Sequence, residues 1–509
     1  MTRYLLSLAA ACMLAQTHVD VGERRQLLMD DRFVRDAKGV SFRVHPPRKT
    51  GEIAIPDEQG WALGSYHSVL AEGAVYHMWY TARNAICYAR SSDGIHWQRP
   101  ELNLTALGGQ PGRNIVIGYG AGEVKGATHG VMVFLDPNAP AGERFRLVAN
   151  PHEFGRMLQL FSSPDGIHWK HTHTDILTFD ENKRPHHLDT LNVIFWDEAA
   201  RKYVAYVRRS SLAQGRMVAR AESSDLSHFG VIEDTRLVFN ADNLNIRHLD
   251  PLRKREAPLI DVYTNDVIRY PWADAAYFMF PAMYYHFGAY QNEFRAEAPV
   301  NAGVLDVRFA ASRDGIAWNT YGWDPFVPNG ISGEFDSRRV YMGYGMLPSP
   351  NGREIYQYYL GTTEPHGWNR DDRNNRILTA GGAAPQPVQR AISRVVSRRD
   401  GFVSVRAGSQ GGEFTTPPLA FDGNELVLNV DTSALGEVQV EIQDTQGNPL
   451  PGFRLSDCDI IHSANEISRP VRWNRASTLE KLTGKTVRLR FVLRNADLYA
   501  FQFRQRPAI

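Results

Sequence analysis

Ser91-Ser92-Asp93-Gly94-Ile95-His96-Trp97 is written again, almost unchanged, as Ser163-Pro164-Asp165-Gly166-Ile167-His168-Trp169, and once more as Ser312-Arg313-Asp314-Gly315-Ile316-Ala317-Trp318. Ser223-Ser224-Asp225-Leu226-Ser227-His228-Phe229 is a worn fourth copy. The four aspartates lie 72, 60 and 89 residues apart. A period that long in strand-like sequence predicts propeller blades rather than a short solenoid repeat. Asp-Gly is a tight-turn pair: glycine accepts positive φ, and the aspartate side chain can hold backbone amides two residues on. The Trp or Phe that ends each copy is expected to pack between neighbouring sheets. Four equivalent aspartates in four equivalent turns mark the fold, so Asp93, Asp165 and Asp314 are expected to be structural.

The 509 residues suffice for two or three domains and a large core. With 57 basic against 56 acidic residues, no basic field argues for nucleic acid or an anionic membrane surface. Aromatics reach 11%, with 10 Trp and 21 Tyr, which suits an all-β chain and a sugar-binding cleft. Cys12, Cys87 and Cys458 offer neither a disulfide framework nor zinc-ligand spacing, and no metal or other cofactor is expected.

Met1 to Ala15 carries Arg3 and then a mostly apolar run, which reads as a short secretory signal and an exported protein. Ala9-Ala10-Ala11-Cys12 offers a lipid-anchored alternative, and a buried N-terminal strand is the plain one. No later apolar run is long enough to span a bilayer. Gln26 to Val34 has a strand-turn-strand pattern of the kind that closes a propeller ring. The loop after it, rich in Pro, Lys and Arg, runs to Pro56. Blades are then expected at about 66–100, 128–171, 189–232 and 261–322, with a fifth from about Glu334. Each reads as strand, turn, strand, strand, Asp-Gly turn and outer strand, with no useful helical period between. Thr379 to Pro387 is a small-residue, proline-bearing link. Beyond it, runs such as Val438-Gln439-Val440-Glu441-Ile442 and Val487 to Leu493 alternate cleanly and predict an antiparallel β-sandwich. The expectation is an all-β chain with a five-bladed β-propeller over 20–378 and a sandwich over 392–509.

A five-bladed propeller followed by a sandwich resembles the invertase and arabinanase superfamily, glycoside hydrolase families thirty-two and forty-three in particular. The Ser-x-Asp-Gly-x-x-Trp turns carry the resemblance, with Leu28-Met29-Asp30-Asp31, Asp136-Pro137-Asn138 and Asp497-Leu498-Tyr499-Ala500-Phe501. The tryptophan-Asn-Asp-Pro opening and the Glu-Cys motif of true invertases are absent, so specificity for fructan or sucrose is not implied. The resemblance implies a glycosidase acting on a polysaccharide or oligosaccharide.

Such chemistry needs two carboxyl groups across the bond: an acid, and a nucleophile or base. The place to look is the propeller axis, where first strands begin. Asp189 enters an apolar strand there, Glu334 approaches the fifth blade, and Asp31 lies on the expected ring-closing strand. These three are the catalytic candidates. His129, Asp266, Asn265, Asp336, Arg338, Trp61, Tyr66 and His67 are candidates for holding the sugar, the aromatic rings by stacking and Arg338 by pairing with an anion. Asp136 follows an apolar strand and belongs at an outer turn. The alternatives are a glycoside phosphorylase, which needs a cationic phosphate pocket, and a catalytically silent carbohydrate-binding propeller. A sialidase-like site needs an arginine cluster and a tyrosine nucleophile that no stretch of the sequence displays.

Overall fold

The computed structural model describes residues 18–57, 62–83, 85–107, 110–118, 128–151, 157–173, 175–179, 188, 190–211, 215–244, 260–286, 303–322, 324–366, 388–476 and 478–506. The chain is all-β: among the described residues the elements are strands and short 3-10 turns. It divides into two compact units. The larger comprises Val44–Pro271 and Ala275–Phe402; the other comprises Met1–Arg43, Trp272–Asp274 and Val403–Ile509.

Antiparallel sheets follow one another along the larger unit. Leu63–Glu72, Val75–Ala82, Ala85–Ser91 and Ile115–Ile117 make the first. Thr128–Leu135, Phe145–Pro151, Gln159–Ser163 and Lys170–His173 make the second. Val193–Asp197, Lys202–Ser211, Gly215–Ser223 and Arg236–Phe239 make the third. In the next set the strands break in mid-course, so that Ile260–Thr264, Ala282–His286 and Gly303–Val307 pair separately from Val267–Arg269, Tyr277–Met279 and Ala310–Ser312. Arg339–Met342, Glu354–Thr362, Arg390–Arg398 and Arg48–Pro56 form the last set, and Leu305 pairs in parallel with Arg339 to join it to the set before.

The repeated turns explain how these sheets are fastened. In the first copy Asp93 Oδ1 accepts the amides of Ile95 and His96, both at 2.8 Å, while Ser91 Oγ accepts the amide of Gly94 at 2.9 Å. The copies at Asp165 and Asp314 repeat these bonds to within 0.1 Å. Gly94, Gly166 and Gly315 sit at φ of 71°, 75° and 68°, where a side chain would be strained. Each turn then docks on a neighbouring sheet through one aromatic donor. Trp79 Nε1 donates to the Gly166 carbonyl at 2.7 Å, Tyr206 Oη to that of Gly315 at 2.9 Å, and Tyr358 Oη to that of Gly94. The tryptophan ending each copy meets the same donor edge to face: Trp169 on Trp79, Trp318 on Tyr206, Trp97 on Tyr358. Tyr358 belongs to the last sheet and Gly94 follows the first, so this contact links the end of the series to its beginning.

A test of the turn's structural role follows. Burial works to raise the pKa of Asp165, but bonds from the His168 amide and imidazole and the Ile167 amide outweigh it and hold the value down to about 2. The carboxylate therefore stabilises the fold above its ordinary value of 3.8, and that contribution disappears as pH falls toward 2. Asp165→Ala is expected to lose about 1 kcal/mol in urea unfolding at pH 7. The difference from wild type should close in acid, and turnover should not change.

The strand that completes the last sheet of the larger unit is Arg48–Pro56, read from sequence as a loop; it pairs with Arg390–Arg398. Its polar, charged composition disguises it, and suits an outer edge strand with one solvated face. The segment expected to close the ring lies in the other unit instead. There Val19–Gly22 runs parallel to Leu419–Phe421, Gln26–Leu27 pairs with Ala500 and Phe501, and Arg35–Lys38 pairs with Gly412–Thr415. The division between units falls after Phe402, so Arg390–Arg398 belongs with the larger one.

The other unit holds two sheets whose inward residues make one core. Phe33, Phe414, Phe421, Phe491, Phe501 and Phe503 are among its members, and Phe33 meets Phe501 edge to face. Alternation accounts for it: in Thr486–Arg494 every second residue is buried. No helix of the described residues is long and apolar enough to cross a membrane. Met1 to Ala15 lies outside the described residues.

Candidate functional site

A cavity of about 370 Å³ opens in the larger unit where first strands begin. Leu63, Gly64 and Tyr66 line it from the first sheet, Thr128 and His129 from the second, Tyr263 from Ile260–Thr264 and Arg339 from Arg339–Met342. Arg83, His366 and Arg390 complete its polar wall. The backbone around it is closely fitted. Gly130, at φ 60°, follows His129, and a Cβ there would sit 2.5 Å from the Thr190 carbonyl oxygen.

Tyr263 is central to the wall. Its hydroxyl lies 2.8 Å from His366 Nε2, and His366 Nδ1 lies 3.0 Å from the hydroxyl of Tyr284. Burial, and then the nearby Arg339, Arg216 and Arg208, push the His366 pKa down to about 3, so the imidazole is neutral and bridges two phenols as donor to one and acceptor from the other. The Arg208 and Arg216 guanidiniums lie over the Tyr263 ring at 5.3 and 5.5 Å.

Two buried carboxylates stand behind this wall. Asp261, two residues before Tyr263 on the same strand, accepts from Arg216 Nη1 at 2.9 Å and from the Arg216 amide at 3.2 Å; His286 Nε2 lies 3.3 Å away. Burial would raise its pKa, but His286 and Arg216 outweigh burial and hold it below the ordinary value, so it is ionised. Glu364 is clamped by both Arg339, at 3.1 Å, and Arg390. It holds two of the three arginines that line the cavity.

The expected site residues separate into groups. Tyr66 and His129 line the cavity. Asp189 and Trp61 lie outside the described residues. The residues on either side of Asp189 are firmly held: Asn192 Nδ2 donates to the carbonyls of Leu188 at 2.8 Å and Thr190 at 3.1 Å, and Thr190 Oγ1 donates to the Tyr263 carbonyl at 3.1 Å. Asp31 belongs to the other unit, where it is exposed and opens a 3-10 turn closed by the burial of Phe33. Glu334 is exposed and accepts the Ile331 amide at 3.0 Å. Asp336 is buried between Lys49 Nζ at 2.6 Å and Tyr359 Oη at 2.9 Å, a pairing with an edge strand rather than a place in the cavity wall. Arg338 is half-buried beside them and is not a lining residue. Asn265 braces the break in its strand, donating to the Tyr206 carbonyl and accepting from the Val267 amide.

His67 and Asp266 are core residues, not cavity residues. Burial pushes the His67 pKa down to about 4, with the Tyr358 carbonyl opposing the shift. Asp266 is fully buried at φ 45°, and neither carboxyl oxygen meets a hydrogen-bond partner. Burial alone raises its pKa well above the ordinary 3.8. A raised folded-state pKa makes its contribution to stability complete below the unfolded value and progressively lost as pH rises through the folded one. Asp266→Asn removes that titration. Its stability relative to wild type should therefore increase as pH is raised from 4, measured by urea midpoints across the range; a gap independent of pH would contradict the assignment.

Asp136 is at an outer turn, as its sequence suggests: it is buried and accepts the Tyr203 hydroxyl at 2.9 Å. Arg83, Arg339, Arg390, Tyr263, His366 and Glu364 were not candidates from sequence. Strand periodicity held a signal for one of them, since Arg339 shares a face with Tyr341 at the start of an apolar strand.

No protein-family model matches the chain, and no curated protein matches it. Solved structures similar to it include a thermostable family-43 glycoside hydrolase, with 15% identity and a TM-score of 0.42 over 70% of this chain and 96% of that one. An N-acetylgalactosamine deacetylase from F. plautii, in complex with blood group B trisaccharide, gives 16% identity and 0.42 over 70% and 96%. A family-43 arabinoxylan arabinofuranohydrolase from Bacillus subtilis, in complex with cellotetraose, gives 12% identity and 0.34 over 87% and 96%.

Proposed function

We propose that this chain is an exported glycoside hydrolase, a five-bladed propeller followed by a sandwich, that cleaves a polysaccharide or oligosaccharide in the cavity at Tyr66 and Tyr263. The observation that carries the reading is one small cavity, lined from the starts of Leu63–Glu72, Thr128–Leu135 and Arg339–Met342 and from Ile260–Thr264, that combines tyrosine, arginine and histidine side chains. Its volume is at the small end of the roughly 300–1,000 Å³ typical of ligand pockets, enough for one or two sugar rings. Asp189 is one reacting carboxyl group. Its chain neighbours Leu188 and Thr190 are tied to Asn192 and to the backbone of Tyr263, a residue of the cavity wall. Asp261, buried behind the wall and outside its lining, is a positioning residue: paired with Arg216 and His286, it holds Arg216 against the Tyr263 ring. Tyr66 and Tyr263 supply the sugar-facing rings, and His129 a donor to hydroxyl groups.

The test is release of aglycone or reducing sugar from a panel of aryl-glycosides and plant and algal polysaccharides, with and without inorganic phosphate. Release without phosphate is the expected result. The arginine lining favours a second reading, a glycoside phosphorylase, and cleavage that strictly requires phosphate would select it. Sugar binding with no cleavage in either condition would leave a binding module.

A further inference from the structure

We propose that Tyr263 binds the sugar through its hydroxyl as well as its ring, donating its proton to a sugar oxygen, and that His366 and Tyr284 are the positioning residues that leave the proton free for this. The proposal deepens the hydrolase reading of the same cavity and rests on it for where the sugar sits.

The three groups run from the protein interior to the cavity. Tyr284 is 0% exposed and its hydroxyl lies 3.0 Å from His366 Nδ1; Tyr263 is 8% exposed and its hydroxyl lies 2.8 Å from His366 Nε2. Tyr263 and His366 line the cavity, and Tyr284 is not a described part of its wall. The imidazole meets both rings edge to face, Tyr263 at 4.6 Å and Tyr284 at 4.8 Å, so both contacts oppose its turning.

A neutral imidazole carries one N–H and can donate to one of the two phenols, not to both. The burial of Tyr284 decides which. Among the described residues, His366 Nδ1 is the one hydrogen-bond partner of the Tyr284 hydroxyl; the Arg216 guanidinium over the Tyr284 ring, at 5.4 Å, offers donors only. A phenol buried there gives its proton to Nδ1, because the reverse bond would leave a buried O–H without an acceptor. Nδ1 is then the bare nitrogen, and Nε2 carries the hydrogen and donates it to Tyr263 Oη. Arg208, hydrogen-bonded to the same Tyr263 hydroxyl, is also a donor. With two donors on its oxygen, Tyr263 keeps its own proton for a group in the cavity. The bond accepted from Nε2–H polarises the Tyr263 O–H and strengthens it as a donor. A hydroxyl or ring oxygen of a sugar is the acceptor that this donor fits.

The test uses the full chain carrying nitrogen-15 histidine, with the His366 signals assigned by their loss in His366→Gln. At pH 7 Nε2 is expected to carry the hydrogen and Nδ1 to be bare, and Tyr284→Phe, which removes the proton given to Nδ1, should abolish that single tautomer. A hydrogen on Nδ1 in the wild-type chain would overturn the proposal. Binding of galactose, glucose, arabinose and xylose is then measured calorimetrically, and cleavage on their aryl-glycosides. For those that the chain takes, Tyr263→Phe should weaken affinity about five- to tenfold and raise KM to match, with less effect on kcat. Tyr284→Phe should produce part of the same loss, and the double variant should be no worse than Tyr263→Phe alone, a pattern that a merely structural role for Tyr284 does not give. His366→Gln, whose amide can still donate to Tyr263, should keep more affinity than His366→Ala. Additive losses, unchanged affinity in Tyr263→Phe, or neither binding nor cleavage of any of these sugars would each overturn the proposal. Cleavage by Tyr263→Phe at the wild-type KM would sink this inference and leave the hydrolase. The expected loss of binding, with no glycoside cleaved by the wild-type chain, would do the reverse.

Discussion

Asp189→Asn is expected to lower kcat on any cleaved aryl-glycoside by about 10²–10⁴-fold while leaving sugar affinity within a few-fold of wild type. A carboxyl group that protonates the leaving oxygen or attacks the sugar acts on the transition state, so its loss appears in kcat rather than in KM. An aryl-glycoside with a more acidic leaving group should suffer less if Asp189 is the acid, and equally if it is the nucleophile or base. Asp261→Asn should also be severe, but with a different signature. It removes the charge that Arg216 and His286 face in a buried setting, so part of its effect should be lost stability. Unfolding curves separate the two contributions. Full activity in Asp189→Asn would remove that residue from the reaction, and full activity in Asp261→Asn would remove the positioning role of its pair with Arg216.

Trp79→Ala should be the most destabilising substitution in the larger unit. Trp79 is fully buried, packs edge to face on Trp169, stacks with His77 at 5.7 Å and donates to the Gly166 carbonyl. Losing that volume is expected to cost about 3–5 kcal/mol, read as a lower urea midpoint. Trp79→Phe keeps most of the ring but leaves the Gly166 carbonyl without its donor, at about 1–3 kcal/mol. The comparison with Tyr206→Phe is informative, because that hydroxyl performs the same task on Gly315. Three donors from corresponding second strands on three copies of one turn should give similar penalties. If Trp79→Phe were neutral, the docking bond would be incidental to the fold.

Most of the fold was legible because it repeats. Asp93, Asp165 and Asp314 announced their turns through spacing and residue chemistry, and the terminal tryptophans announced the packing. The strand Arg48–Pro56 stayed hidden because an edge strand with one solvated face needs little apolar alternation. Gln26–Leu27 misled for a related reason, since the partner of a short strand is chosen by tertiary structure and not by its own sequence. The site was legible only as a location. Looking at first-strand starts found Tyr66 and His129, but the arginines come from positions 83, 208, 216, 339 and 390, which no local motif connects. Asp336 and Glu334 looked attractive because polar residues approach a strand there; Lys49 and Tyr359 show that one of them is part of a buried structural pair. Asp266 looked like a ligand-binding residue and is an unpaired carboxyl in the core.

The most direct test of the account is a crystal structure of Asp189→Asn soaked with the oligosaccharide that the wild-type chain cleaves. The account predicts the scissile bond in the cavity, with one sugar ring against Tyr66 or Tyr263. A sugar bound elsewhere on the chain, with this cavity empty, would contradict it.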